Sequence, residues 1–114
     1  MNISIEKDNG LTVVSASGKM DAANCGELES ALDMVIAEGG TTIILNLDGL
    51  IYISSAGLRV LLKTAKNLHN AGTFVLCTLS KNVKEIIVMS GFSTFMDIYP
   101  DIREAKSGVR SKAR

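Results

Sequence analysis

Residues 41–72 read TTIILNLDGLIYISSAGLRVLLKTAKNLHNAG, and this stretch decides the fold. Residues 41–47 are mostly apolar or β-branched, which is typical of a strand in the middle of a sheet. From Leu58 onward apolar residues recur every three or four positions, which predicts an amphipathic helix that stops near residues 70–72. A buried strand that leads into such a helix indicates an α/β domain.

The sequence before this stretch predicts a hairpin and a helix. Residues 3–6 and 11–17 have strand patterns, and the Asn9-Gly10 pair between them suits a tight turn. Asn24 and Glu27 have the spacing of a capping pair at a helix start. The glycines at 39 and 40 predict the end of that helix.

The sequence after residue 72 predicts a second strand–helix unit, followed by a short strand and a short final helix. Residues 73–79 form a buried strand, and Asn82 with Glu85 repeats the capping spacing. Gly91 ends the helix, residues 95–99 suggest a last short strand, and Pro100 opens a final helical turn or two.

The predicted order is therefore β-β-α-β-α-β-α-β-α. Strands separated by helices pair in parallel, whereas the first two strands form an antiparallel hairpin, so the sheet is mixed. We expect a single α/β domain over residues 1–105, with helices packed on the sheet. Residues 106–114 are rich in Ser, Gly, Lys and Arg, and we expect a basic flexible tail there.

Composition narrows the class of partner. The 114 residues are 46% hydrophobic and 21% charged, and 12 basic residues balance 12 acidic ones. A net charge of zero argues against a nucleic-acid binder, which needs a basic surface. We see no signal peptide and no transmembrane run, so we expect a cytoplasmic protein without membrane insertion, whose partner is a protein or a small molecule.

The usual signs of an enzyme or a metal protein are missing from the sequence. Cys25 and Cys77 are far apart and have no neighbouring Cys or His, so we expect reduced thiols and no metal site. No phosphate-binding glycine loop is present, and we expect no cofactor. The only histidine, His69, lies 14 residues after Ser55, or about 21 Å along a helix, which excludes a serine–histidine pair.

Ser54 and Ser55 stand where the strand segment joins the helix that follows. One interpretation is structural, because a serine at a helix start caps unpaired N–H groups. The other is functional, because the same helix end carries partial positive charge and accepts a phosphate. The two serines alone do not decide between these interpretations.

Two motifs in this sequence resemble those of bacterial anti-sigma factor antagonists, which carry the STAS domain. Residues 46–58, NLDGLIYISSAGL, are similar to the family's strand-to-helix signature, and residues 18–21, GKMD, are similar to its upstream acidic turn. The similarity in element order spans residues 3–104. The resemblance implies a STAS-like fold and a regulatory binding protein rather than an enzyme.

The resemblance also implies a site. In that family the serine that follows an aspartate is phosphorylated, and alignment on Gly57 and Leu58 makes that serine Ser55. Ser54 stands where the family has the aspartate, which leaves Ser54 as a less favoured acceptor, and Ala56 replaces a Ser or Thr. The residues implied to bind the partner are Asp21, Asn24, Ser54, Ala56, Gly57 and Arg59.

The mechanism that the resemblance implies is partner switching. The unmodified protein binds an anti-sigma factor that is also a serine kinase, a GHKL-type ATPase, and so frees the sigma factor. Phosphorylation of Ser55 ends that binding, and a PP2C-type phosphatase restores it. Three alternatives stay open: a STAS interaction module that is never phosphorylated, a small enzyme using Ser55 or Cys25, and a subunit of a lipid-transport or transporter-linked complex.

Overall fold

One mixed sheet organises the protein, as a computed structural model that describes residues 1–112 shows. Its six strands are β1 (Asn2–Asp8), β2 (Leu11–Met20), β3 (Thr42–Asn46), β4 (Leu50–Ile53), β5 (Thr73–Cys77) and β6 (Asp97–Tyr99). The helices are α1 (Cys25–Ala37), α2 (Ser55–Leu68), α3 (Lys81–Met89) and α4 (Ile102–Lys112), with a short 3-10 turn at Phe92–Thr94.

The strands lie in the order β1-β2-β3-β5-β6, and β4 pairs with the far end of β2. β1 is antiparallel to β2, and every other pairing is parallel, so the predicted mixed sheet is confirmed. The predicted hairpin is confirmed as well. Asn9 and Gly10 have φ values of 48° and 87°, the positive values that a two-residue turn of this kind requires.

The predicted order of elements is confirmed, and the structure adds one strand, β4. Leu50 and Ile53 of β4 are buried, whereas Ile51 and Tyr52 between them are exposed. The strand begins after a turn at Gly49, where φ is 84°. β4 therefore carries the chain from the end of β3 to the start of α2 in contact with β2.

Helices cover both faces of the sheet. α1, α2 and α3 bury the larger core on one face, and α4 buries a smaller cluster on the other. The fully buried side chains of the larger core include Met20, Leu28, Leu32, Ile43, Leu45, Leu47, Leu61 and Leu76. The domain is thus a three-layer arrangement in which α2 lies on the sheet with its first residue at the end of β4.

The start of α3 differs from the prediction. Ser80 is the N-cap, and its Oγ accepts a hydrogen bond from the Val83 amide at 3.2 Å. The predicted cap at Asn82 is wrong, because its Nδ2 instead donates to the Ile51 carbonyl oxygen at 3.3 Å. Asn82 therefore ties α3 to β4.

The C-terminal segment is helical up to Lys112, where we expected a flexible tail from residue 106. Val109 is buried against the sheet, and Lys106 Nζ lies 2.8 Å from Asp8 Oδ2. A Cβ at Gly108 would collide with the Tyr99 hydroxyl, so glycine allows α4 to lie this close to β6. Residues 113 and 114 of the expected tail lie outside the described residues.

Candidate functional site

The candidate site lies where β2 and β4 end side by side. Met20, the last residue of β2, pairs with Ile53, the last residue of β4. The Ser54 amide then donates a hydrogen bond of 2.9 Å to the Met20 carbonyl oxygen. Because the two strands are parallel, the residues that follow them, Asp21 and Ser54, emerge at the same edge of the sheet. The two motifs noticed in the sequence are therefore neighbours in space.

Ser54 is the N-cap of α2. Its backbone is extended, with φ −86° and ψ 171°, and its Oγ accepts a hydrogen bond from the Gly57 amide at 3.2 Å. Its carbonyl oxygen accepts the first intrahelical hydrogen bond, from Leu58 at 3.0 Å. The capping role that the sequence left open between the two serines belongs to Ser54, whose side chain is half-buried.

Ser55 is the first residue of α2, and its side chain is exposed. Its hydroxyl has no hydrogen-bond partner among residues 1–112. The two serines thus differ in their surroundings, because the Ser54 hydroxyl is used by the fold and the Ser55 hydroxyl is free in solvent.

Two features of α2 itself favour an anion at its start. Its 14 residues align their peptide dipoles, which leaves partial positive charge and unpaired N–H groups at this end. No acidic side chain stands in its first turn to offset that charge. An anion attached to Ser55 would lie beside these donors.

Asp21 organises a hydrogen-bonded turn before α1. Its Oδ1 accepts hydrogen bonds from the amides of Ala23 at 2.9 Å and Asn24 at 3.1 Å. Asn24 Oδ1 accepts in return from the Asp21 amide at 2.9 Å, and Asn24 Nδ2 donates to the Lys19 carbonyl oxygen at 2.8 Å. This reciprocal pattern is that of a capping box.

The predicted Asn24–Glu27 capping pair is wrong. Asn24 makes no side-chain cap to α1, and only its carbonyl oxygen receives the Glu27 amide, at 2.9 Å. The residues that form the capping pattern are three positions earlier in the chain, Asp21 and Asn24. Both remain at the site surface, where each is partly exposed.

Gly57 is buried, although we expected it to contact a partner. A Cβ there would lie 2.8 Å from Met20 Sδ and 2.9 Å from Ile53 Cγ1. The glycine therefore lets the first turn of α2 pack against the ends of β2 and β4. Of its neighbours, Ala56 is partly exposed and Arg59 is exposed.

Sequence reasoning missed two exposed apolar residues next to the site. Ile51 is 56% exposed and Tyr52 is 43% exposed, in the middle of β4. Their place in an unbroken apolar run, residues 50–53, was the available signal. Contiguous exposed apolar patches rimmed by polar residues suit contact with another protein, and these two side chains are candidates for such a patch.

His69 lies at the opposite end of α2 from Ser55, as the sequence predicted. A cleft of about 260 Å³ lies beside it, between the end of α2 and Phe95, and Ser55 takes no part in it. Within residues 1–112, no group of three or more His, Cys, Asp or Glu side chains is placed to hold a metal ion. None of the helices in that range has the length and hydrophobicity needed to cross a membrane.

Known proteins resemble this chain in sequence and in structure. A family model described as the STAS domain matches residues 2–105. A Bordetella bronchiseptica protein, provisionally named anti-sigma factor antagonist BtrV, is 38% identical over 112 residues, covering 96% of this chain and 94% of its own length.

Two solved structures extend the comparison. An anti-sigma factor antagonist from Mycobacterium paratuberculosis superposes with a TM-score of 0.90 at 26% identity, over 96% of this chain and 93% of that one. SpoIIAA of Bacillus, solved in its phosphorylated form, gives 0.74 at 23% identity, over 95% of this chain and 99% of that one. The likeness to SpoIIAA is one of fold.

Proposed function

This chain belongs to the anti-sigma factor antagonist (STAS domain) family, and on that premise we propose that it binds an anti-sigma factor and is switched off by phosphorylation of Ser55. The single observation that carries the proposal is the contrast between its two serines. Ser55 offers an exposed, unbonded hydroxyl at the positive end of α2, whereas Ser54 is occupied as the cap.

The contrast favours Ser55 as the acceptor for two physical reasons. A kinase active site must reach the hydroxyl oxygen, and the Ser55 side chain is the more exposed of the two. Phosphorylation of Ser54 would also esterify the half-buried oxygen that accepts the hydrogen bond from the Gly57 amide, so the cap would have to rearrange. A phosphate on Ser55 leaves that cap in place.

The partner-binding surface in this proposal surrounds Ser55. The hydrogen bond between Ser54 and Met20 holds the Asp21 turn beside it. The apolar side chains of Ile51 and Tyr52 extend the surface along β4. Gly57 lies beneath this surface and allows α2 to approach the sheet closely. The side chains that we propose to face the partner are Asp21, Asn24, Ser54, Ala56 and Arg59, together with Ile51 and Tyr52.

The charge of one phosphate is enough to weaken binding strongly. A phosphoserine carries about −1.5 to −2 charges at neutral pH. One unit of that charge, held ~6 Å from a like charge of the partner at an effective dielectric of ~20, costs about 2.8 kcal/mol. That is about a hundredfold in affinity. The helix end meanwhile tolerates the anion, so no large conformational change is needed.

The proposed cycle needs two partners. An anti-sigma factor that is a GHKL-type ATPase transfers the γ-phosphate of ATP to Ser55 Oγ, with ADP as the leaving group and the hydroxyl proton passing to the kinase. A PP2C-type phosphatase hydrolyses the phosphoester and returns the free serine. The existence of SpoIIAA in a phosphorylated form supports such chemistry on this fold.

The test is to find which serine is modified. Wild type, Ser55→Ala and the matched control Ser54→Ala are each incubated with ATP and the GHKL-type kinase encoded nearest to this chain's gene. Intact mass and peptide mapping should show one phosphate on wild type and on Ser54→Ala, and none on Ser55→Ala. Modification of Ser55→Ala to the wild-type extent would contradict the proposed acceptor.

A second candidate function is a STAS interaction module that is never phosphorylated. The observation that favours it is Ser54 itself, which replaces an acidic neighbour of the acceptor and removes one negative charge from the site. Under this alternative, wild type stays unmodified in the same incubation while it still binds its partner.

A further inference from the structure

The exposed side of α2 is basic, and its cations are not equivalent. Arg59, Lys63 and Lys66 are exposed, and the helix contains no acidic residue. Lys63 Nζ is neutralised from α1, at 2.6 Å from Glu29 Oε2 and 3.6 Å from Asp33 Oδ2. Arg59 forms no ion pair or hydrogen bond with any residue in the described range 1–112. It is therefore a free guanidinium near the helix start.

Arg59 is also one helical turn from Ser55. Residues four apart on a helix lie on the same face, with a rise of about 6 Å between them. Both side chains are exposed, so nothing packed over them blocks a contact. An anion placed four residues before a cation is the favoured order, because it also agrees with the helix dipole.

We propose that Arg59 is the intramolecular partner of a phosphate on Ser55, and that its guanidinium donates charge-assisted hydrogen bonds to the phosphate oxygens. Guanidinium suits this role because its planar array of donors matches a phosphate. The proposal rests on the proposed phosphorylation of Ser55, and it adds a regulatory role for a residue that the unmodified protein leaves unpaired.

Through this pairing, phosphorylation of Ser55 weakens partner binding in two ways. In the unmodified protein Arg59 is available to a carboxylate of the partner. Once Ser55 carries a phosphate, Arg59 turns to that phosphate and the partner's carboxylate loses its cation. The partner is then opposed by the new negative charge and deprived of a contact at the same time.

The test uses phosphoserine incorporated at position 55 during translation, in wild type, Arg59→Gln and Lys66→Gln. Lys66 is a matched control, because it is exposed on nearly the same face of α2. It lies eleven residues from Ser55, about 16 Å along the axis and beyond the Debye length of about 8 Å. The second pKa of the phosphate, near 6 for a free phosphoserine, is read by phosphorus NMR across a pH series at an ionic strength of about 0.15 M, where that Debye length applies.

Arg59→Gln should raise that pKa by about 0.3 unit or more, the shift expected for loss of one exposed helix ion pair. Lys66→Gln should leave it at the wild-type value, and added salt should shrink the Arg59 effect. Equal values in wild type and Arg59→Gln, or an equal shift in both variants, would overturn the proposal.

The result is separable from the fate of the proposed function. Because translation places the phosphoserine, the titration does not depend on any kinase. If the kinase does not phosphorylate Ser55, the proposed function is wrong, while the titration still tests whether Arg59 pairs with the phosphate. If the kinase phosphorylates Ser55 but the titration does not respond to Arg59→Gln, only the proposed pairing of Arg59 with the phosphate is wrong.

Discussion

The Ser54 amide and the Met20 carbonyl oxygen are joined by a hydrogen bond of 2.9 Å, and this bond fixes the geometry of the site. It closes the short parallel pairing of β4 with β2 at the point where both strands end. Asp21 follows Met20 directly, so a partner that reaches Ser55 also meets the Asp21 turn. Two segments that are more than thirty residues apart in sequence therefore form one surface.

The division of roles between the serines predicts different effects on stability. Ser54→Ala should lower the free energy of unfolding by about 1 kcal/mol, because it removes the cap to the Gly57 amide. Ser55→Ala should change it by less than about 0.5 kcal/mol, because its side chain is exposed and unbonded. Urea unfolding of both variants measures the contrast, and equal losses would contradict the assignment of the cap.

Two glycines in helices should respond to alanine with opposite signs. Gly57→Ala should destabilise the protein by about 1–3 kcal/mol, because its Cβ would press on Met20 and Ile53. Gly26→Ala in α1 is the matched control, since no atom lies within 4 Å of the added Cβ. It should stabilise the protein by up to about 1 kcal/mol through helix propensity. Thermal unfolding distinguishes them, and a Gly57→Ala protein as stable as wild type would refute the close approach.

The ion pairs that hold α4 predict a pH dependence. The hydrogen bond from Lys106, together with its charge and that of Arg110, lowers the pKa of the Asp8 carboxyl below its usual 3.8. A carboxyl whose pKa is lowered by folding stabilises the folded state at pH values above its ordinary pKa. This contribution is lost as the pH falls through the lowered pKa. Asp8→Asn should therefore be less stable than wild type at neutral pH and equal to it in strong acid.

Thermal unfolding at low ionic strength, at pH 7 and again well below the usual pKa, measures this difference. Asp48→Asn is the control, because Asp48 makes no ion pair with residues 1–112. It should match wild type at both pH values. An Asp8→Asn deficit that persists in acid would show that the substitution acts through packing rather than charge.

Most of the sheet could be predicted from sequence because its central strands, β3 and β5, are nearly continuous apolar runs and α2 has a clear apolar stripe. Residues 41–47 and 58–68 illustrate both patterns. The resemblance drawn from two short motifs is confirmed, since the family model matches residues 2–105. Those motifs were informative because each lies at the end of a strand, where loop residues meet a helix.

The parts that were missed depend on tertiary contacts. β4 lacks an alternating pattern, because its pairing with β2 buries Leu50 and Ile53 and leaves the two residues between them exposed. The last turns of α4 are polar apart from Val109, and they are held by the sheet and by Asp8 rather than by helix propensity. Ser80 and Asn82 are both residue types that cap helices, and only the structure shows that Ser80 is the N-cap of α3.

The most direct test of the central claim is the affinity of the anti-sigma kinase for this protein with and without phosphate on Ser55. Calorimetric titration with an ATP analogue that cannot transfer phosphate should give tight binding for unmodified wild type and for Ser55→Ala. The Ser55-phosphorylated protein should bind about a hundredfold more weakly. Equal affinity of the phosphorylated and unmodified proteins would contradict the account.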